Sequence, residues 1–144
     1  MGRKNNSKKS GRGGAGQNRA ESDAFLKKNR QKPDVIETPS GLQYTVREEG
    51  TGKQPDEWST VEVNQRILLA DGTVIKDTYH SIETDQFTIE EAIPGLKEGL
   101  QFMKEGGKTR FVVPADLAWG KRGAGSKIGP NAALIFDIRL EKVI

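Results

Sequence analysis

The chain is 144 residues long, enough for one domain with a modest core, and it holds no cysteine, which excludes a disulfide framework and thiolate chemistry. Its net charge of +3 is unevenly spread: residues 1–32 contain ten Lys/Arg and two Asp/Glu, a balance of +8, so the rest of the chain carries −5. No run approaches the roughly 18 apolar residues of a membrane span, and the basic N-terminus lacks the apolar stretch of a secretory signal. A soluble protein of the cytoplasm or a comparable compartment, with no membrane contact, is therefore expected.

Residues 1–20 are rich in Gly, Asn, Ser and Lys/Arg, with no large apolar side chain after Met1. Such a segment cannot offset its ordering entropy by burial and is predicted to be a disordered basic tail. Contact with a polyanion, such as a ribosome or nucleic acid, is one reading of it, and a solubilising tail is the other. It has no aromatic residue to stack on bases. Residues 21–37 are read as a short helix and linker. Ser22 is the predicted N-cap of a helix over Asp23–Arg30, with Phe25 and Leu26 apolar and basic residues at its end. Pro33 closes it.

A single domain is predicted over 38–144. Pro39-Ser40-Gly41 forms a turn, and Leu42, Tyr44 and Val46 then alternate with polar residues in a strand. The strongest strand pattern runs from Thr60 to Ala70, with Val61, Val63, Gln65, Ile67 and Leu69 on one face. Gln65 is polar where the period calls for an apolar residue. Asp71-Gly72 predicts a hairpin into a strand at Thr73–Lys76. A polar loop follows over Asp77–Gln86, and Phe87 and Ile89 return the chain to the core. Pro94 then opens a helix whose stripe is Leu96, Leu100 and Met103, ended by Gly106-Gly107. Lys108–Val113 is a strand stopped by Pro114, and a turn delivers Trp119 against Gly120. Lys121–Asn131 is a Gly-rich loop, and Ala133–Val143 a final strand with Leu134, Phe136, Ile138 and Leu140 inward. The inventory argues for an α+β fold: a curved antiparallel half-barrel sheet of four to five strands wrapped on one short central helix.

Several chemistries are excluded by the residues present. Gly120–Lys127 has Gly-Ser-Lys where a phosphate loop needs Gly-Lys-Ser/Thr, and it precedes a strand instead of opening a helix. His80 is the only histidine, so with no cysteine neither a transition-metal site nor a serine triad is expected. His80 itself reads as an exposed loop residue. No cofactor, metal, covalent nucleophile or acid–base group is predicted. What remains is an apolar convergence where the helix crosses the sheet, with Phe87, Ile93, Leu96, Trp119, Ile128 and Phe136 as its walls.

The order PSGLQYTV, GTG, a DG hairpin, AIPGLKEGL, GGKTRFVVP, LAWG and NAALIFDIRL resembles the FKBP family of peptidyl-prolyl cis-trans isomerases, in its macrophage-infectivity-potentiator-like branch. The resemblance covers about Thr38 to Ile144, and the short helix is similar to the end of that branch's linker helix. It implies an isomerase that binds proline-containing segments in an apolar pocket without a cofactor, and a folding or chaperone role. It further implies affinity for macrolide inhibitors and, since the branch's dimerising helical domain is absent here, a monomer. The substrate-binding positions it implies are Gln65, Ile75, Phe87, Ile93, Leu96, Trp119, Ile128 and Phe136. Four of these depart from the family pattern: Leu96 replaces the tryptophan of the helix, Gln65 a tyrosine, Ile75 a phenylalanine and Trp119 a tyrosine. Lys76 stands where the family has an aspartate and so reverses a charge at the rim. Two readings follow, an isomerase of reduced or altered activity, and a non-catalytic chaperone or adaptor module tethered by its basic tail.

Overall fold

A computed structural model of the chain describes residues 12–144. The elements in chain order are α1 (Ala15–Arg30), β1 (Ile36–Glu37), β2 (Gln43–Glu48), β3 (Thr60–Leu69), β4 (Val74–Asp77), β5 (Asp85–Thr88), α2 (Pro94–Leu100), β6 (Lys108–Val113) and β7 (Leu134–Val143). Short 3-10 turns occupy Ile89–Glu91 and Ala115–Leu117. All strands join one antiparallel sheet in the order β1-β2-β6-β7-β3-β4, and β5 pairs with the other end of the β3 edge that β4 occupies. The fold class agrees with the sequence reading, with seven strands where four to five were predicted. The surplus includes the two-residue β1 and four-residue β5, too short to show a period.

Alternation places Val61, Val63, Ile67, Phe111, Leu134, Phe136, Ile138 and Leu140 on the inner face of the sheet, where they form the main core. Bulges interrupt the β2–β6, β3–β4 and β3–β7 ladders and bend the sheet around that core. α2 crosses the inner face over β6. A Cβ on Gly95 would lie 2.5 Å from Val113 Cγ1, and one on Gly99 would strike the Phe111 ring, so glycine at both positions lets the helix press onto the strand. α2 ends at Leu100, before the predicted stop at Gly106-Gly107. From there Phe102 and Met103 donate to the carbonyls of Gly99 and Leu100 in successive turns. Gly106, at φ +91°, then ties to the Leu140 carbonyl.

The N-terminal region departs most from expectation. Residues 1–11 of the predicted tail lie outside the described residues. Residues 15–22, predicted to be disordered or a cap, are helical: α1 begins at Ala15, eight residues before Asp23, and Gly14 is its N-cap. Ser22 is no cap but a buried mid-helix residue. The physical reason is that α1 has a buried stripe made largely of polar side chains. Asn18, Ser22, Phe25, Leu26 and Asn29 recur at helical spacing; the first two face the segment that leads into β7, and the other three lie against the outer face of the sheet. There Phe25 and Leu26 pack on Leu68, Val112 and Ile135, and Asn29 Nδ2 donates to Gln43 Oε1 at 2.8 Å. Gln43 Nε2 in turn donates to the Leu26 carbonyl and Glu37. The sheet is thus covered by α2 on one face and by α1 on part of the other. A helix that is marginal alone is held by tertiary contacts.

Candidate functional site

Most of the residues singled out from sequence lie on the inner side of the sheet, in the core that α2 crosses. Ile93 is the N-cap of α2, its carbonyl accepting from the Lys97 N–H at 2.9 Å, and Leu96 sits one turn in and is buried. Phe87 on β5 lies opposite Val61, and Phe136 on β7 lies between Ile67 and Phe111 in the ladder. Ile75 comes from β4, and Ile128 from the Gly-rich loop before β7. These six share one apolar cluster; Leu96, Ile128 and Phe136 are buried within it, while Ile75, Phe87 and Ile93 are half-buried against it. The Leu117 carbonyl passes 3.3 Å from where a Gly95 Cβ would sit, bringing the segment that leads to Trp119 beside the start of α2. Trp119 itself is 36% exposed and stands outside the core cluster, although Leu117 and Ala118 just before it pack against that cluster. Gly120, at φ +57°, ends that turn by donating to the Ala115 carbonyl.

Gln65 is the polar residue on the inner face of β3 and is only 6% exposed. Its Nε2 donates to Asp85 Oδ2 at 2.8 Å, and Asp85 also accepts from Lys76 Nζ at 2.9 Å. The charge that Lys76 introduces at the rim is therefore matched within the same corner. Burial by itself would raise the Asp85 carboxyl, but the hydrogen bonds from Lys76 and Gln65 and the ammonium charge outweigh it, leaving the group below its usual range. Gln65 Oε1 has no hydrogen-bond partner. Asp85 was missed in the sequence, although it lies two residues before Phe87 and so on the same face of a strand. The Gln65 main chain is also engaged: its N–H donates to Thr78 Oγ1, and its carbonyl accepts from the Thr78 N–H, bridging the gap between β4 and β5.

Among the described residues, no group of three or more His, Cys, Asp or Glu side chains could hold a metal, and no helix is long and apolar enough to cross a membrane. On the outer face, beyond α1, Arg47, Arg66, Lys108, Arg110 and Asp137 border a groove of about 600 Å³. Arg110 makes a two-pronged bond to Asp137, at 2.7 and 2.8 Å, which raises the guanidinium pKa.

A bent antiparallel sheet closed over one short helix, with an apolar floor at that helix's start, defines the half-barrel class of prolyl isomerase folds. The comparisons with known proteins give the family. The family model described as FKBP-type peptidyl-prolyl cis-trans isomerase matches residues 51–141, and that of the domain amino terminal to it matches residues 3–46. The chain belongs to the FKBP-type peptidyl-prolyl cis-trans isomerase family. It is 44% identical over 126 residues to the probable FKBP-type isomerase FkpA of Neisseria meningitidis, covering 88% of this chain and 46% of that protein. It is also 44% identical over 129 residues to the outer membrane protein MIP of Legionella longbeachae, covering 90% of this chain and 55% of the relative. The chain thus spans about half the length of these curated relatives. Among solved structures, FkpA from Escherichia coli superposes with a TM-score of 0.86 at 37% identity, covering 90% of this chain and 60% of that one. A peptidyl-prolyl cis-trans isomerase from Pseudomonas syringae gives 0.82 at 33% identity, covering 91% and 96%.

Proposed function

We propose that this chain is an active peptidyl-prolyl cis-trans isomerase that binds X-Pro segments on the apolar floor formed by Phe87, Ile93, Leu96 and Phe136. The observation that carries the proposal is that Phe87 and Ile93 are only half-buried against the core cluster that holds Leu96 and Phe136, so part of their apolar surface stays open. Family membership supplies the reaction class.

The reaction asks little of the residues beyond such a surface. Twisting a peptide bond costs about 18–20 kcal/mol because amide resonance is lost, and X-Pro bonds left alone take tens to hundreds of seconds to turn over. The planar amide is more dipolar than the twisted one, so a surface that takes the proline ring and strips water from the imide favours the twisted state. Lowering the barrier by roughly 5–7 kcal/mol would accelerate rotation about 10⁴–10⁵-fold. The Gln65–Asp85–Lys76 corner bears on preference at the residue before proline: with Lys76 matched by Asp85, it adds no net charge. This reading predicts tolerance of neutral residues such as Leu or Phe at that position.

A protease-coupled or NMR-exchange assay on Leu-Pro and Phe-Pro peptides tests the proposal. Acceleration at micromolar protein is expected. Its absence on both peptides would remove the enzymatic reading and leave a binding module.

A further inference from the structure

The N-terminal half of α1 is bound less to the sheet than to the loop that follows Trp119. Arg12 Nη2 donates to the Arg122 carbonyl at 2.8 Å, and Asn18 Nδ2 donates to the Pro130 carbonyl at 2.9 Å. Ser22 Oγ donates to the Asn131 carbonyl at 2.9 Å and accepts from the Ala133 N–H at 2.8 Å, closing the end of the loop onto the start of β7. Asn131 is the only non-glycine residue with positive φ among the described residues, at +61°. Its side chain answers α1 with both ends, accepting from Arg19 Nη2 and donating to the Ala15 carbonyl, each at 3.3 Å. The loop's own ties are a few backbone bonds, between Ala124 and Ile128, from Gly123 to the Trp119 carbonyl and from Asn131 to the Gly120 carbonyl, and it carries glycines at positive φ at 120, 123 and 125. Glycine at 123 and 129 leaves room for Arg12, since a side chain at either would meet it.

That loop carries Ile128 into the apolar cluster and is tied to Trp119, whose carbonyl accepts from the Gly123 N–H at 3.1 Å. We infer that Asn18 and Ser22 of α1 are positioning residues for the prolyl site, holding Ile128 and Trp119 through the 121–131 loop. Neither touches the apolar floor. They act by converting a Gly-rich segment, which would otherwise sample many conformations, into one preset wall. Ser22 is the firmest of these ties. It is 5% exposed, and replacing it with alanine leaves the Asn131 carbonyl and the buried Ala133 N–H without partners.

The inference rests on the isomerase reading for its effect on rate, but its structural half is separable. The full chain and its Asn18→Ala, Ser22→Ala and Ser22→Thr variants are compared by residue-resolved hydrogen exchange and by the isomerase assay. Exchange at the Gly123, Ala124 and Ile128 amides is expected to speed at least about tenfold in both alanine variants, beyond any change shared by the β3–β7 core amides. In the same variants kcat/KM is expected to fall about three- to tenfold, mainly through KM, and Ser22→Thr, which keeps the hydroxyl, should recover most of it. Loop exchange that matches the unaltered chain would overturn the inference, as would faster exchange with kcat/KM unmoved. If the unaltered chain shows no isomerase activity, the isomerase reading fails by itself. Exchange and the Trp119 indole shift on adding a Leu-Pro peptide then decide the positioning role: alanine variants with unchanged exchange and an unchanged peptide-induced shift sink it.

Discussion

Asp85→Ala should destabilise the domain through Gln65, more than through the ion pair it breaks. Asp85 accepts from Lys76 and from Gln65. Lys76 is about half exposed and returns to water when its partner is lost, so that part costs about 0–1 kcal/mol. Gln65 has no such exit. Its Oε1 is already unpartnered, and the substitution would strand Nε2 as well, at about 1–3 kcal/mol. The expected total is roughly 1–4 kcal/mol. Gln65→Leu removes both polar ends from a buried position and is expected to be neutral or stabilising. In that background Asp85→Ala should cost under about 1 kcal/mol, giving a coupling of roughly 1–3 kcal/mol. Urea unfolding of the unaltered chain, the two single variants and the double variant measures this. A coupling below about 0.3 kcal/mol would show that the Gln65–Asp85 bond does not carry the stability of this corner.

Four further outcomes are expected. Gly99→Ala should destabilise by about 1–2 kcal/mol despite a gain of about 1 kcal/mol in helix propensity, because the added carbon meets the fully buried Phe111 ring; a stabilised variant in thermal unfolding would contradict the close approach of α2 to β6. Phe136→Ala, at a site 1% exposed, should cost about 3–5 kcal/mol. Trp119→Ala should cost no more than about 1 kcal/mol yet lower kcat/KM several-fold; equal urea midpoints for the two variants, or a Trp119 variant of full activity, would count against this assignment of roles. The depressed Asp85 carboxyl contributes stability that is fully present above its unfolded value, about pH 4, and is lost as pH falls through the lower folded value. Urea midpoints taken from pH 5 to pH 2.5 should therefore fall less steeply for Asp85→Asn than for the unaltered chain, and parallel curves would exclude the linkage.

The sheet was legible because its inner face is apolar at every second residue. The ten-residue β3 and β7 could be placed almost to their ends for that reason. The first half of α1 was not legible, since the face it buries is Asn18, Ser22 and Asn29, residues that read as solvent-facing until their partners are known. Those partners lie more than a hundred positions away for Asn18 and Ser22, beyond any local pattern. Of the candidate site, the apolar members could be named from periodicity and resemblance, and Gln65 stood out as an exception to its strand. That Asp85 would answer both Gln65 and Lys76 depends on β5 pairing beside β4 along one edge of β3, a register that the polar loop between them conceals. Trp119, expected among the walls, is 36% exposed, because the turn after Pro114 carries it out of the core.

The place of β7 in the sheet bears on how the chain comes to be folded at all. It follows every other strand in chain order, yet it lies between β6 and β3. Without it there is no sheet, only two fragments: β1-β2-β6 on one side and β3 with β4 and β5 on the other. Each would present a bare ladder edge beside unburied apolar side chains, the combination that recruits other chains. On a ribosome, six strands must therefore emerge and wait for the seventh, and the pairings that end the wait are distant in sequence and slow to form. A protein proposed to ease the folding of others is, for that interval, itself in need of shelter.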